Sequence, residues 1–467
     1  MKRLNELIDT DIDVLIKDIK INSKNIKEGD LFLCTSGVNF DRHDFLDDAI
    51  KNGAVAAVVS KDVKVSIPLV KVKDVDEVFP LIFQKFYDHP EKEIKILTVG
   101  GTDGKTSTTT IAMHLLGEDT CAYIGTNGAV FKLYEKELAN TTPDADVLYK
   151  EFRTFLDKGA KYVALETSSE AFYRNRLRSL EFDVAGFTNI TKEHLNVHKT
   201  FENYLECKLR QMDHIKKGGL AVLNIDDPHF EDFKKRCKEK ILTYGMNKDA
   251  DLYIKSFTEY KDHTDIIYVY EGKEVKVKSP LLGAFNVYNL ACALLMVSPY
   301  QDFETSLKKV DHILIKGRME FFKFKGIDII LDYAHTTNGV STLLKYVKKL
   351  GYHHIYTVIG QAGGRDKSKR KEVGKIVYDN SSKAIFTMED TRNESFLDII
   401  KDITENIDGS DYLVIENRKE AIKEAISLAS NGDAVLVLGK GREDGNIVKG
   451  EVIKGSDYDF IMEVINA

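Results

Sequence analysis

Apolar residues first fall in short runs, Asp30-Leu-Phe-Leu-Cys34 and Gly53-Ala-Val-Ala-Ala-Val-Val59, with a helical stretch over residues 45–52 between them. These predict a small α/β unit. Residues 87–93 (Tyr-Asp-His-Pro-Glu-Lys-Glu) break the pattern. His-Pro disfavours helix and so many charges resist burial, which predicts a linker. From residue 94 the rhythm changes. Runs at 94–99, 162–165, 184–187 and 220–225 are continuously apolar, as strands covered on both faces must be. After Thr106, Ile111, Leu115 and Leu116 fall at helical spacing. Such alternation predicts a doubly wound parallel sheet.

A second series starts near Arg318, with runs at 327–331, 355–359, 384–387, 412–415 and 434–438. Four of them end in polar or glycine-rich sequence: Asp332-Tyr-Ala-His335, Gly360-Gln-Ala-Gly-Gly-Arg-Asp366, Glu389-Asp-Thr-Arg392 and Gly439-Lys-Gly-Arg-Glu443. Ligands of open parallel sheets sit at the carboxyl ends of strands, so this part presents one polar edge. The predicted fold class is α/β in three domains: a small α/β domain over 1–90, a doubly wound parallel-sheet domain over 91–313 and a Rossmann-like α/β domain over 314–467.

Composition narrows the function classes. The 467 residues would make about three domains at ~150 residues each. With 43% hydrophobic residues, 30% charged residues and 7 prolines, collagen-like and disordered classes are excluded. The 67 basic against 74 acidic residues argue against a dedicated nucleic-acid binder. No window approaches ~18 uninterrupted apolar residues, and the first residues lack a signal-peptide pattern. A cytoplasmic protein with no stable membrane insertion is predicted. The five cysteines are scattered and form neither a disulfide framework nor a zinc knuckle.

Val99-Gly-Gly-Thr-Asp-Gly-Lys-Thr-Ser107 follows a buried strand and opens a helix. Glycines let backbone N–H groups and a helix N-terminus face an anion. Lys105 can add a mobile charge to the β- and γ-phosphates, and the Thr106 hydroxyl can ligate Mg2+. Gly101, Thr102, Asp103, Gly104, Lys105, Thr106 and Ser107 are thus candidate ATP-binding residues. A tight turn is the plainer reading of three glycines, but the strand context and the Gly-Lys-Thr triplet favour nucleotide.

The shortened form Gly-Thr-x-Gly-Lys-Thr resembles the Mur ligase family, and within it the UDP-N-acetylmuramoyl-tripeptide synthetases. The resemblance runs in order through Asn140-Thr-Thr-Pro-Asp144, Glu166-Thr-Ser-Ser169, Thr188-Asn-Ile-Thr-Lys-Glu-His194, Tyr204-Leu-Glu-Cys-Lys208, Phe285-Asn-Val-Tyr-Asn289, Gly317-Arg-Met-Glu320, Asp332-Tyr-Ala-His335 and Gly439-Lys-Gly441. Asn22-Ser-Lys24 and Gly29-Asp-Leu-Phe32 look like the family's uridine-binding domain.

The resemblance implies an ATP-dependent, ADP-forming amide ligase of peptidoglycan precursor synthesis. It would add a diamino acid to UDP-N-acetylmuramoyl-L-alanyl-D-glutamate through an acyl phosphate, as a monomer. Implied catalytic residues are Lys105, Arg318, Lys208 and His194. Two Mg2+ ions would be held by Thr106, Glu166, His194 and a CO2-derived carbamate on Lys208. Read without the family, Glu166 and His194 could equally form a buried hydrogen bond, and Lys208 could be a solvated helix lysine. Asn289 corresponds to the adenine side, Asp332 to the ribose side, and Arg318 to the arginine reaching the γ-phosphate. Ser23 would hold the uracil end; Thr141, Thr142, Ser169 and Arg176 would contact the UDP-muramoyl part, with Arg176 on the diphosphate. The Thr pair also reads as a turn before Pro143.

Glu389-Asp-Thr-Arg392 stands where members adding meso-diaminopimelate have Asp-Asn-Pro-Arg. Arg392 is kept, so a distal carboxylate can be paired, while Asp390 and Thr391 depart. Arg370, Gly439 and Glu443 match positions that hold the amino acid. The implied substrate is meso-diaminopimelate or a similar diamino diacid. Further departures are Glu170 for His, Asn196 for Asp, Lys199 for Gly and Arg442 for His. His335 could make a polar contact to the phosphate or the amine. Another Mur-type ligase, or a non-catalytic paralogue that binds nucleotide or UDP-sugar, stays open at this point.

Overall fold

The computed structural model describes residues 1–35 and 41–466; the side chain of Asn196 also lies outside the described set. The chain falls into two units that do not follow chain order. One comprises residues 1–98, 117–184 and 214–219, and the other residues 99–116, 185–213 and 220–467.

In the first unit, strands Ile19–Lys20, Asp30–Leu33, Ala54–Val59 and Leu69–Lys71 pair in that order, all parallel. Helix Leu46–Lys51 buries Leu46 and Ala49 against Phe32, Ala57 and Val59, the apolar runs read from the sequence. Elsewhere in this unit, Cys121–Gly125 pairs parallel with Tyr162–Glu166 and antiparallel with Gly128–Phe131. The stretch 87–93 is not an open linker. His89 takes a left-handed conformation (φ 52°) ahead of a 3-10 turn, Pro90–Lys92, in which Pro90 is buried. Some of its charges find partners, as in the 3.1 Å contact between Glu93 and Arg153 and the 3.1 Å contact between His89 and Glu91. Proline's fixed φ suits the first position of such a turn.

In the second unit, the phosphate-loop helix Lys105–Leu116 packs against Ala284–Val297, whose residues are buried almost all round. Residues 220–224 pair parallel with Lys240–Gly245, which in turn pairs with Leu252–Glu259. A meander of Leu252–Glu259, Thr264–Tyr270 and Lys273–Ser279 then continues antiparallel. The sequence reading, tuned to continuous apolar runs, missed it. Lys273-Glu-Val-Lys-Val-Lys-Ser279 alternates because one of its faces meets water, so antiparallel strands extend the predicted parallel sheet.

The chain's last part forms a six-stranded sheet in the order Glu320–Phe324, Ile327–Asp332, Ala434–Leu438, Ile355–Ile359, Lys383–Thr387, Tyr412–Ile415. Only the first of these is antiparallel to its neighbour. Ile330, Leu436 and Phe386 face helices Thr337–Lys349, Arg370–Asn380 and Phe396–Thr404. Ile329, Val437 and Ile385 face helices Arg418–Leu428 and Asp457–Ile465. Successive residues thus enter opposite cores, which explains the unbroken apolar runs. The parallel register brings the segments that follow residues 332, 359, 387 and 438 to one edge.

Candidate active site

The phosphate loop is shaped by close backbone approach. Gly101 has φ +136°, and a Cβ there would lie 1.9 Å from Thr188 Oγ1; Gly104 has φ +84°, with Asn289 Oδ1 2.5 Å from a Cβ. Only glycine fits both demands. Thr188 Oγ1 donates to the Asp103 carbonyl at 2.6 Å, and the Asp103 and Thr102 amides donate to Asn189 Oδ1 (3.1 Å) and its carbonyl (2.8 Å). Thr102 Oγ1 bonds the Tyr204 hydroxyl at 2.8 Å.

Three cations gather on this loop. Lys105 Nζ donates to the Thr102 carbonyl at 2.7 Å, and Lys208 Nζ to the Gly101 carbonyl at 2.6 Å. Arg318 Nη2 reaches Thr106 Oγ1 at 3.4 Å, while its buried Nε finds no acceptor among the described residues. Lys208 is buried, unlike a solvated helix lysine. Asn289 accepts from Thr108 Oγ1 at 3.3 Å on the loop's helix side. Asp332 is buried and its two oxygens accept the amides of Ala334 (2.7 Å) and Met319 (2.8 Å).

His194 opens the short helix Leu195–His198 from a left-handed position. Burial drives its pKa well below the ordinary value, and Lys105 and Lys208 add to this, so the imidazole is neutral. Burial also pushes His335 down, to about 3. Its Nδ1 bonds the Tyr333 carbonyl at 2.8 Å, leaving Nε2 as the acceptor. Among the described residues no group of three or more His, Cys, Asp and Glu is placed to hold a metal. A neutral imidazole beside a buried lysine fits a cation only if the lysine carries an anionic adduct.

Glu166 belongs to the first unit, whereas Thr106, His194 and Lys208 belong to the second. Glu166 is buried and accepts from the Tyr123 hydroxyl, the Thr126 amide (3.0 Å) and Thr126 Oγ1 (3.2 Å). Thr142 Oγ1 donates to the Glu166 carbonyl at 2.8 Å, and Arg176 Nη1 to the Thr142 carbonyl at 3.1 Å. Thr141 Oγ1 lies 3.4 Å from Thr126 Oγ1, and Ser169 is buried at the start of helix Ser169–Tyr173. Thr141, Thr142 and Arg176 thereby form one polar network around Glu166. Ser23 sits apart from that network, on the 3-10 turn Ser23–Asn25 of the small sheet. Glu170 pairs with Arg174 at 2.6 Å and lies 3.8 Å from Arg176.

At the C-terminal strand ends, Glu389 is buried, and its Oε2 has no hydrogen-bond partner among the described residues. Burial raises its pKa to about 7, opposed by Arg418 and Lys440. Asp390 Oδ1 accepts from Lys440 Nζ at 2.9 Å and from the Ile447 amide at 3.0 Å. Arg392 Nη1 donates to the Gly363 carbonyl at 2.6 Å, and Glu443 Oε2 lies 3.1 Å from Lys440 Nζ. Gly439 (φ +108°) passes so close that a Cβ would sit 2.3 Å from Glu389 Oε2.

Arg370 is held by several partners of the protein itself. It is fully buried, pairing with Glu394 (2.9 Å) and Asp402 (2.8 Å) and donating to the Ala362 carbonyl (2.9 Å). These contacts tie it to the loop after Ile355–Ile359, while its buried Nε has no acceptor among the described residues. The sequence reading passed over Arg365, which is exposed; burial lowers the pKa of Arg392, and the charge of Arg365 adds to this. Its signal was present: it lies inside the glycine-rich strand end, whereas Arg370 opens the helix.

A fold of this kind, with a glycine phosphate loop ringed by cations, defines a nucleotide-dependent α/β protein. Family models match along the chain: the Mur ligase family catalytic domain over residues 15–92, the Mur ligase middle domain over 99–297 and the Mur ligase glutamate ligase domain over 317–441. The chain belongs to the Mur ligase family, with its three-domain α/β architecture. It is 34% identical to a UDP-N-acetylmuramoyl-L-alanyl-D-glutamate–2,6-diaminopimelate ligase of Halalkalibacterium halodurans, covering 92% of this chain and 90% of that one. The same-named ligase of Clostridium perfringens is 31% identical over 96% and 95% of the two chains. A solved structure of a ligase with that name superposes with a TM-score of 0.69 at 26% identity, covering 100% of this chain and 99% of the other. Among the described residues no helix is long and apolar enough to cross a membrane.

Proposed function

We propose that this protein joins a diamino diacid, with meso-diaminopimelate the best fit, to the D-glutamate γ-carboxylate of UDP-N-acetylmuramoyl-L-alanyl-D-glutamate, converting ATP to ADP and phosphate. The observation that carries this reading is Arg318: among the described residues its buried Nε has no acceptor, and it lies beside Thr106 at the mouth of a glycine loop that also holds Lys105. A buried guanidinium edge without a partner calls for an anion.

The γ-carboxylate must approach the γ-phosphorus of ATP. Two such anions ~4 Å apart repel by about 4 kcal/mol at an effective dielectric of 20. Lys105 and Arg318 offset that repulsion and stabilise the charge on the transferring phosphoryl group. Lys105 must leave the Thr102 carbonyl to do so, a short swing for a four-carbon stem. The acyl phosphate formed with release of ADP is attacked by the amine of the amino acid, and collapse of the tetrahedral adduct expels phosphate.

Thr106, Glu166 and neutral His194 are the residues proposed to hold Mg2+, which when bound screens the phosphate charge. The neutral amine of Lys208 would add to CO2, losing a proton to give a carbamate, and so change from a repelling cation to a ligand. Ser23, Thr141, Thr142, Ser169 and Arg176 would receive the UDP-muramoyl part, and Asn289 and Asp332 the nucleoside. At the C-terminal strand ends, Arg392 and Arg365 provide cations for the carboxylates, while Glu389, Glu443 and Asp390 provide acceptors for the distal amine. We place the three domains at 1–90, 91–313 and 314–467, working as a cytoplasmic monomer.

One assay tests the reading. The protein is given UDP-N-acetylmuramoyl-L-alanyl-D-glutamate, Mg-ATP and single amino acids, and phosphate release and product mass are followed. Release that depends on a diamino diacid is expected. Dependence on lysine instead would refute the role of Arg392, and no turnover with any amino acid would refute ligation.

A further inference from the structure

The position where the family pattern has histidine and this chain has Arg442 makes a set of contacts joining two loops. Arg442 Nε donates to Glu320 Oε2 at 2.9 Å, and Nη2 donates to Glu320 Oε1, a bidentate clasp. Glu320 is buried, and its Oε2 also accepts the Gly317 amide at 2.8 Å. Gly317 immediately precedes Arg318. The Arg442 amide donates to the Tyr333 hydroxyl at 3.0 Å, and the Arg318 guanidinium lies over the Tyr333 ring, 4.7 Å from its centre. Gly317 and Gly441 both have positive φ, and a Cβ on either would come within 2.5 Å of that ring. The Arg442 guanidinium also stacks on Tyr458, 3.8 Å from the ring centre, so its own rotamer is fixed.

We propose that Arg442 is a positioning residue for Arg318. Through Glu320 it holds the amide next to Arg318, and through Tyr333 it holds the ring on which the Arg318 guanidinium rests. The loop carrying Gly439 and Glu443 is thereby tied to the arginine that faces the nucleotide, and a disturbance at either end is felt at the other. A histidine could not hold Glu320 through two parallel N–H donors. The proposal rests on the ligase reading of Arg318, and the following experiment separates the two.

Steady-state rates are measured for Arg442→Met, Arg442→Lys and Glu320→Gln, with Arg442→Met also made in an Arg318→Lys background. Arg442→Met is expected to lower kcat about tenfold with the KM for ATP changed less than about twofold, since a misaligned guanidinium is felt mainly in the transition state. Arg442→Lys should recover part of that loss. In the Arg318→Lys background, Arg442→Met should cost less than about twofold more, because the group it positions is gone. The same fold loss in both backgrounds would overturn the proposal, as would an unchanged kcat in Arg442→Met. Should Arg442→Met fail to fold, Glu320→Gln decides: kcat must fall with the melting temperature held. If Arg318→Lys itself leaves kcat unchanged, the ligase reading of Arg318 fails instead.

Discussion

The phosphate loop and the strand end at 389–392 both follow a buried strand, yet they are built in opposite ways. In the first, the left-handed positions are glycines, Gly101 and Gly104, and the loop carbonyls are taken up by Thr188, Lys105 and Lys208. In the second, left-handed backbone falls on Asp390 (φ 38°) and Arg392 (φ 53°). Such conformations cost about 1–3 kcal/mol at non-glycine residues and persist only where surrounding structure imposes them. Here the strand Asn446–Val448 imposes them: the Arg392 amide donates to the Ile447 carbonyl at 2.8 Å, and the Asp390 amide to Asn446 Oδ1 at 3.1 Å. A site that reads phosphate can do so with bare backbone. One proposed to read an amino acid needs side chains, and bends the backbone under them.

Removing charge at the phosphate loop should break this comparison most severely. Lys105→Met and Lys208→Ala are each expected to lower phosphate release about a thousandfold or more, with the melting temperature little changed. High bicarbonate should not rescue Lys208→Ala. At the other site, Arg392→Ala should raise the KM for the diamino diacid about a hundredfold while leaving the KM for ATP near its original value, as steady-state titration of each substrate would report. A rise in both constants would show that the two sites are not separable.

Two smaller effects concern stability. Gly439→Ala should destabilise by about 1–3 kcal/mol in urea titration, because a Cβ meets Glu389 and φ is positive. Glu389 gives a pH signature. Its pKa is raised from 4.5 to about 7, so the folded state keeps a proton that the unfolded chain has lost. That contribution to stability is fully present below about pH 4.5 and declines as pH rises to about 7. Glu389→Gln should therefore gain stability relative to the parent between pH 5 and pH 8, by roughly 1–2 kcal/mol in paired urea titrations. An unchanged difference between the two proteins across that range would refute a buried, protonated Glu389.

Much of the architecture was legible in the chain itself. Continuous apolar runs marked the parallel strands, since each feeds two cores, and Gly-Lys-Thr marked the phosphate loop. The meander at 252–279 went unread because its alternation is the signature of a half-wet strand. The supposed linker at 87–93 is ordered because its proline and charges find partners elsewhere in the fold. The motif marks Arg370 for the substrate but does not reveal that Glu394 and Asp402, 24 and 32 positions away, pair with its Nη1.

Periodicity and short motifs need only neighbouring residues, so hydrophobic patterning and backbone stereochemistry were enough to establish an α/β chain with an anion-binding loop. Which charged side chain remains available to a ligand is a different matter. It depends on partners distant along the chain, such as Glu320, 122 positions from Arg442, because electrostatic compensation acts through space and only the folded arrangement decides which charges meet.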